Sequence, residues 1–228
     1  MESGHRVAAI LPAFNLEKTI GGIIKRTKPF VDVVVVVSDG STDRTDQAAR
    51  AAGAYVPEPE LVRGKGFAVI KGINATRNFD PYIVVLMDTD GQHLPEEIPY
   101  LIEPIMTNDA EMVVGSRMKG ELKTSLINRI GNFGLKLISF LVTSKWLSDT
   151  ESGFRAIRAK RLYELGLTSR GYEIEGELLL KALHKRFRVV EVPIHVPVAI
   201  PGVTVIDGLK NGWFKLKTGI KLKFASGE

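Results

Sequence analysis

The chain has 228 residues, 44% hydrophobic and 25% charged, which is long enough to bury a sizeable core and too apolar for a disordered polymer. It has no cysteine, so a disulfide framework, a thiolate zinc site and a cysteine nucleophile are excluded, and a reducing compartment fits. Its net charge of +5 conceals a split: residues 1–116 carry 11 Lys/Arg against 16 Asp/Glu, and residues 117–228 carry 20 against 10. The second half, at +10, points to an anionic partner such as nucleic acid, a phosphorylated substrate or an anionic membrane surface. A solvated basic face is the plain alternative. Only six apolar residues precede Pro12, too few for a signal peptide. No apolar stretch reaches the roughly 18 residues of a membrane span. The longest, Phe133–Val142, is interrupted by Lys136 and Ser139.

In chain order, Val7–Leu11 is a short apolar run stopped by Pro12. Thr19–Lys28 has Ile20, Ile23 and Ile24 at helical spacing, and Val31–Val37 is almost pure valine. β-branched runs apolar on both faces mark buried parallel strands. The turn-rich Ser38–Asp43 follows, then a helix over Asp43–Gly53, a short strand at Ala54–Val56 and a helix over Gly66–Arg77. Tyr82–Met87 is a second buried strand ended by Asp88-Thr89-Asp90; Pro95–Met106 reads as helix and Met112–Gly115 as strand. This alternation predicts an α/β fold: a mostly parallel, doubly wound sheet with helices on both faces. Beyond it come a long apolar helical stretch (Thr124–Trp146), a strand at Gly153–Ile157, a helix over Glu173–Lys185 and a strand at Phe187–Val192. In the tail, Ile206–Phe224, lysines are interspersed with Leu209, Trp213, Phe214, Leu216, Ile220 and Leu222.

Several signatures are missing. No G-x-G-x-x-G follows the first strand, no G-x-x-x-x-G-K-[ST] is present, and no G-x-S-x-G provides a nucleophile elbow. What remains is acidic. In a doubly wound sheet, ligands sit outside the carboxyl ends of the strands. Three such ends carry polar loops: Pro12–Glu17, Ser38–Asp43 and Asp88–His93. Asp88 and Asp90, one residue apart after a buried strand, can approach a hard divalent cation that also bridges to substrate phosphates. Acidic pairs are equally ordinary as loop and cap residues. Gly64-Lys65-Gly66 precedes a helix, where its N–H groups and Lys65 can meet a phosphate or form a plain turn. His93 offers an imidazole that could ligate a metal, but a lone loop histidine is more often a surface or capping group.

Taken together, P-A-F-N-L-E-K-T-I at 12–20, V-S-D-G-S-T-D-R-T at 37–45, G-K-G at 64–66 and D-T-D-G-Q-H at 88–93 resemble the inverting family-2 glycosyltransferases. G-S-R at 115–117, D-T-E-S-G-F-R at 149–155 and E-V-P-I at 191–194 resemble the branch that includes dolichol-phosphate mannose synthase and polyprenyl-phosphate glucosyltransferases. The resemblance implies an A-type glycosyltransferase fold. It further implies metal-dependent, inverting transfer of a hexose from GDP-mannose or UDP-glucose to dolichyl or polyprenyl phosphate. In that reading Pro12, Ala13, Phe14, Asn15, Glu17, Asp39, Gly40, Lys65, Asp88, Thr89 and Asp90 line the donor pocket. Asp88, Asp90 and Gln92 hold Mg²⁺ or Mn²⁺. Arg117 and Arg129 grip the acceptor phosphate, and Asp149, with Asp90, is catalytic. Asp149 orients donor or acceptor and can act as a base if the acceptor is a hydroxyl.

The chain departs from the family in places. Leu16 and Ser38 replace frequent acidic residues, and Phe133 stands where a serine is expected. His195 follows E-V-P-I where an arginine is usual, leaving Lys210 or His195 to close over the donor. The expected organisation is a catalytic domain over 1–205, with a nucleotide-sugar-binding half (1–116) and an acceptor half (117–205). A basic amphipathic tail over 206–228 is expected to lie on the cytoplasmic face of the membrane. The expected partners include no nucleic acid. Two rivals keep the donor pocket: transfer to a soluble carbohydrate, and a non-catalytic nucleotide-sugar-binding module. A sugar-1-phosphate nucleotidyltransferase would want a glycine-rich basic loop where Pro12–Glu17 stands.

Overall fold

The computed structural model describes residues 5–38, 40–58, 64–117, 147–197, 213–214 and 217–218. Six strands form one sheet: β1 (Val7–Ala13), β2 (Val33–Ser38), β3 (Ile83–Leu86), β4 (Met112–Ser116), β5 (Arg155–Arg158) and β6 (Val189–Pro193). Their order is β2-β1-β3-β5-β4-β6. The pairs β1–β2, β1–β3 and β4–β6 are parallel, while β5 runs antiparallel to both neighbours.

The valine runs form strands because both faces of the sheet are covered. Val34 and Val36 enter one apolar cluster, Val35 and Val37 the other, and Ile83/Val85 and Val84/Leu86 divide the same way. On the first face lie α1 (Ile20–Thr27), α2 (Thr45–Ala51) and α4 (Ile98–Met106). On the second lie α3 (Lys65–Thr76), α5 (Ala159–Tyr163) and α6 (Ile174–His184). In α4, Ile98, Leu101, Ile102 and Ile105 form one buried stripe at i, i+3, i+4 and i+7. Each contributes about 1.5–3 kcal/mol relative to exposure. Together they outweigh the cost of Pro104 in the last turn, which is about 3 kcal/mol.

Most elements fall where the sequence puts them, with instructive shifts. β1 does not stop at Pro12 but runs to Ala13. Its pairing with β3 ends at Ile10–Leu86, so beyond that point only β2 flanks it and the missing proline N–H costs no ladder bond on the β3 side. Ala54–Val56 is no strand; only Tyr55 bridges to Val35. The strand expected at Gly153 begins at Arg155, and α5 was not foreseen. The stretch 124–146 and most of the tail lie outside the described residues.

The antiparallel β5 positions the site. Arg155 is in register with Leu86 of β3 and Val114 of β4. The chain therefore enters β5 at the same edge where β3 and β4 finish. β6 ends there too, with Pro193 opposite Ser116.

Candidate functional site

β1 connects to neighbours on both sides, which makes the edge beyond Ala13 the point where an open α/β sheet gathers its ligand crevice. Two of the loops at this edge are stapled to each other. Asn15 adopts a left-handed backbone (φ 51°). Its N–H donates to Ser41 Oγ at 3.0 Å and its Oδ1 accepts from Thr42 N at 2.8 Å. Glu17 N donates to Asp43 Oδ2, and the Glu17 carboxylate pairs with Arg44 at 2.8 Å. Pro12 and Ala13 close β1, Gly40 turns with φ 73°, and Phe14 stands 54% exposed above them. Thr89 Oγ1 donates to Pro12 O at 2.6 Å and so joins the third loop to the first. Asp39 and Arg129 lie outside the described residues.

The acidic pair divides in two. Asp88 is walled in: Lys65 Nζ lies 2.8 and 2.9 Å from its two oxygens and 2.6 Å from Glu175 Oε1. A Cβ on Gly153 would collide with the same carboxylate. Burial, the largest single influence, would raise the Asp88 pKa, but the charge and hydrogen bond of Lys65 together with His93 and Arg117 outweigh it and the net direction is down. Burial likewise disfavours the Lys65 ammonium, yet Asp88 and Glu175 hold its pKa above the usual lysine value. At Glu175 burial prevails over Lys65 and the carboxyl is pushed up. Asp90, by contrast, is exposed, its Oδ1 accepting Gln92 N at 3.0 Å. His93 is not a surface group but a buried cap. Its Nδ1 accepts Asp88 N at 3.1 Å, its ring stacks on Phe154 at 4.9 Å, and burial pushes its pKa down. Lys65, read from sequence as a phosphate or turn residue, spends its ammonium on two carboxylates.

On the far side of β3, Arg117 and Asp149 form a two-pronged pair. Arg117 Nε reaches Asp149 Oδ2 at 2.8 Å and its NH2 reaches Oδ1 at 2.9 Å, while Arg117 N also donates to Oδ2. Burial would raise the Asp149 pKa, but the hydrogen bonds and charge of Arg117 outweigh it and bring it down. A carboxylate with both oxygens so engaged is a weak proton acceptor and a strong anchor. The Arg117 NH1 remains 3.4 Å from Gln92 Oε1, next to the acidic loop.

The loop that carries Asp149 is itself held from two sides. Glu191 on β6 accepts from Ser148 N, Ser148 Oγ and Asp149 N at 2.8–2.9 Å. Arg155, fully buried, donates to the carbonyls of Thr150, Ser152 and Glu175.

The sequence alone assigns no role to Glu175, Glu191 or Arg155. The signal for Glu175 was a glutamate on the apolar stripe of a helix; for Arg155 it was an arginine inside a β-strand run. Among the described residues, no three His, Asp or Glu side chains are grouped to hold a metal unaided. Asp88, Asp90 and Gln92 offer only hard oxygens. That set fits Mg²⁺ or Mn²⁺ held by one or two carboxylates and completed by substrate phosphates.

Residues 8–166 match the sequence model of glycosyl transferase family 2. The chain is 32% identical over 208 residues to the UDP-N-acetylglucosamine–dolichyl-phosphate N-acetylglucosaminyltransferase of Methanococcus voltae, covering 81% of this chain and 83% of that one. It is 30% identical over 191 residues to the dolichyl-phosphate hexose transferase of Haloferax volcanii, covering 82% and 81%. Among solved structures it is similar to Mycobacterium tuberculosis glucosyl-3-phosphoglycerate synthase in complex with Mn²⁺, UDP-glucose and phosphoglyceric acid. There the TM-score is 0.75 at 25% identity, over 97% of this chain and 80% of that one.

Proposed function

This chain belongs to glycosyl transferase family 2, and we propose that it transfers a hexose, with inversion, from a nucleotide-diphosphate sugar to a dolichyl or polyprenyl phosphate. The observation that carries this is the Arg117–Asp149 pair. A hydroxyl acceptor needs a base to take its proton, and Asp149 is spent on Arg117. A phosphate monoester is already anionic at neutral pH and attacks the anomeric carbon without one. A planar guanidinium fixed by two hydrogen bonds is suited to gripping that phosphate. The names of the dolichyl-phosphate transferases among its relatives support the same acceptor.

The rest is positioning and charge. Phe14, Asn15, Glu17, Asp39 and Gly40 frame the nucleotide, and Thr89 and Lys65 fix the acidic loop beneath the diphosphate. Asp90 and Gln92, with Asp88 pinned beside them by Lys65, would hold a divalent cation, whose charge would stabilise the departing diphosphate. The neighbour structures in complex with Mn²⁺ support the use of a divalent cation. Asp149 holds Arg117 in register with the acceptor, Arg129 supplies a second phosphate contact, and residues 206–228 lie against an anionic membrane surface. Residues 1–116 then serve the donor and residues 117–205 the acceptor.

The test is a panel of UDP- and GDP-sugars with Mg²⁺ or Mn²⁺ against a short polyprenyl phosphate, with products identified by mass. A glycosyl phosphate of the polyprenol is the expected product. Transfer to soluble carbohydrates alone, or no transfer from any donor, overturns the reading.

A further inference from the structure

Lys65 is in a costly place. It is the first residue of α3, where the helix dipole repels a cation, and the first turn contains no acidic residue of its own to compensate. The backbone forces it there. Gly64 (φ 132°) and Gly66 both press against the 169–171 segment, where a Cβ would collide with Arg170 O or Ser169 O. The helix start is thus clamped, and the side chain crosses to Asp88 and Glu175 with both Asp88 oxygens in contact. Tyr172 lies over the ammonium at 5.7 Å. Asp90, two residues from Asp88, has no such cation among the described residues and stands exposed.

We propose that Lys65 is a tethered cation that occupies the metal-binding capacity of Asp88 and Glu175, confining a divalent ion to the Asp90 side of the acidic loop. Asp88 and Glu175 are two hard carboxylates facing one nitrogen, and without that nitrogen they would attract a divalent ion themselves. An ammonium offers three donors and imposes no coordination geometry. It holds both Asp88 oxygens in place whether or not the site holds a divalent ion. It also keeps such an ion from settling below the loop, out of reach of the donor's phosphates. This rests on reading the acidic loop as metal-bearing, but its test uses neither sugar nor acceptor.

Mn²⁺ alone is titrated into the full chain and followed by electron paramagnetic resonance. Lys65→Met should bind Mn²⁺ about tenfold or more tighter than the wild type, a gain of about 1.4 kcal/mol. Adding Asp90→Asn to Lys65→Met should leave this new binding in place, whereas adding Glu175→Gln should abolish it. Thermal melts establish that each variant is folded. If Lys65→Met does not fold, Lys65→Gln, which keeps an amide donor between the carboxylates, carries the same expectation. Unchanged or weaker Mn²⁺ binding in the folded variant overturns the proposal, as does tightening that Asp90→Asn removes. Tightening in a chain that transfers no hexose would uphold the tethered cation and reject the proposed reaction.

Discussion

Glu177 on α6 shows how one side chain shapes the site from outside it. Its carboxylate accepts from Thr168 N at 3.0 and 3.1 Å and from Ser169 N at 2.8 Å, and pairs with Lys181 at 2.7 Å. Those bonds hold the 168–169 segment that continues into the residues packed on Gly64 and Gly66, and hence the start of α3 and Lys65. Burial would raise the Glu177 pKa, but Lys181 and the backbone donors outweigh it and bring it from 4.5 to about 2. The folded value lies below the unfolded one, so its stabilisation is complete above about pH 4.5 and fades as pH falls towards 2. Glu177→Gln removes the charge. Its melting temperature should sit below wild type by a constant margin between pH 6 and 8, a margin that narrows steadily below about pH 4.5. A margin unchanged down to pH 3 would show that the Glu177 charge contributes nothing.

At the scale of elements, the site depends on one antiparallel strand entering among parallel ones. β5 brings Gly153 against Asp88 and, through the loop before it, Asp149 against Arg117. Gly153→Ala should therefore push the Asp88 carboxylate off Lys65. Overpacking of this kind costs about 1–3 kcal/mol of stability. Misplacing a reacting group by about 1 Å costs on the order of a hundredfold in rate. Steady-state transfer alongside a thermal melt decides it: a folded variant with wild-type kcat would mean that Gly153 does not set Asp88.

The parts of this arrangement differ in how legible they were. Asp88, Asp90 and Arg117 follow runs such as Ile83–Leu86 and Met112–Gly115, whose burial on both faces leaves only strand as a reading, so their place at the sheet edge followed directly. The direction of β5 did not. Arg155–Arg158 is four residues long, pairs with strands more than 40 residues away, and carries no periodicity that encodes orientation. Glu175 was hidden for a related reason. A helical glutamate ordinarily faces solvent, and only the packing of α6 against α3 turns this one onto Lys65.

On the scale of the whole molecule, the charge split becomes a question of orientation towards a lipid acceptor. The acidic loop belongs to the half with a balance of −5, and the tail lysines Lys210, Lys215, Lys217, Lys221 and Lys223 to the half with +10. No helix among the described residues is long and apolar enough to cross a membrane. Trp213 is 70% exposed, the most exposed large hydrophobic side chain of those described. An exposed Trp among lysines suits the headgroup region, where the ring partitions into the interface and lysines reach the phosphates. Each lysine close to an anionic surface contributes about 1 kcal/mol, so five give attachment that salt can reverse. The competing arrangement packs the tail on the domain with its lysines in solvent. Co-sedimentation with vesicles separates the two. Binding should rise with the anionic lipid fraction, fall with added salt, weaken on Trp213→Ser and vanish when residues 206–228 are removed. Full-length protein that stays in the supernatant with anionic vesicles at low salt would exclude the tail as a membrane contact, leaving the acceptor to be reached by Arg117 and Arg129 alone.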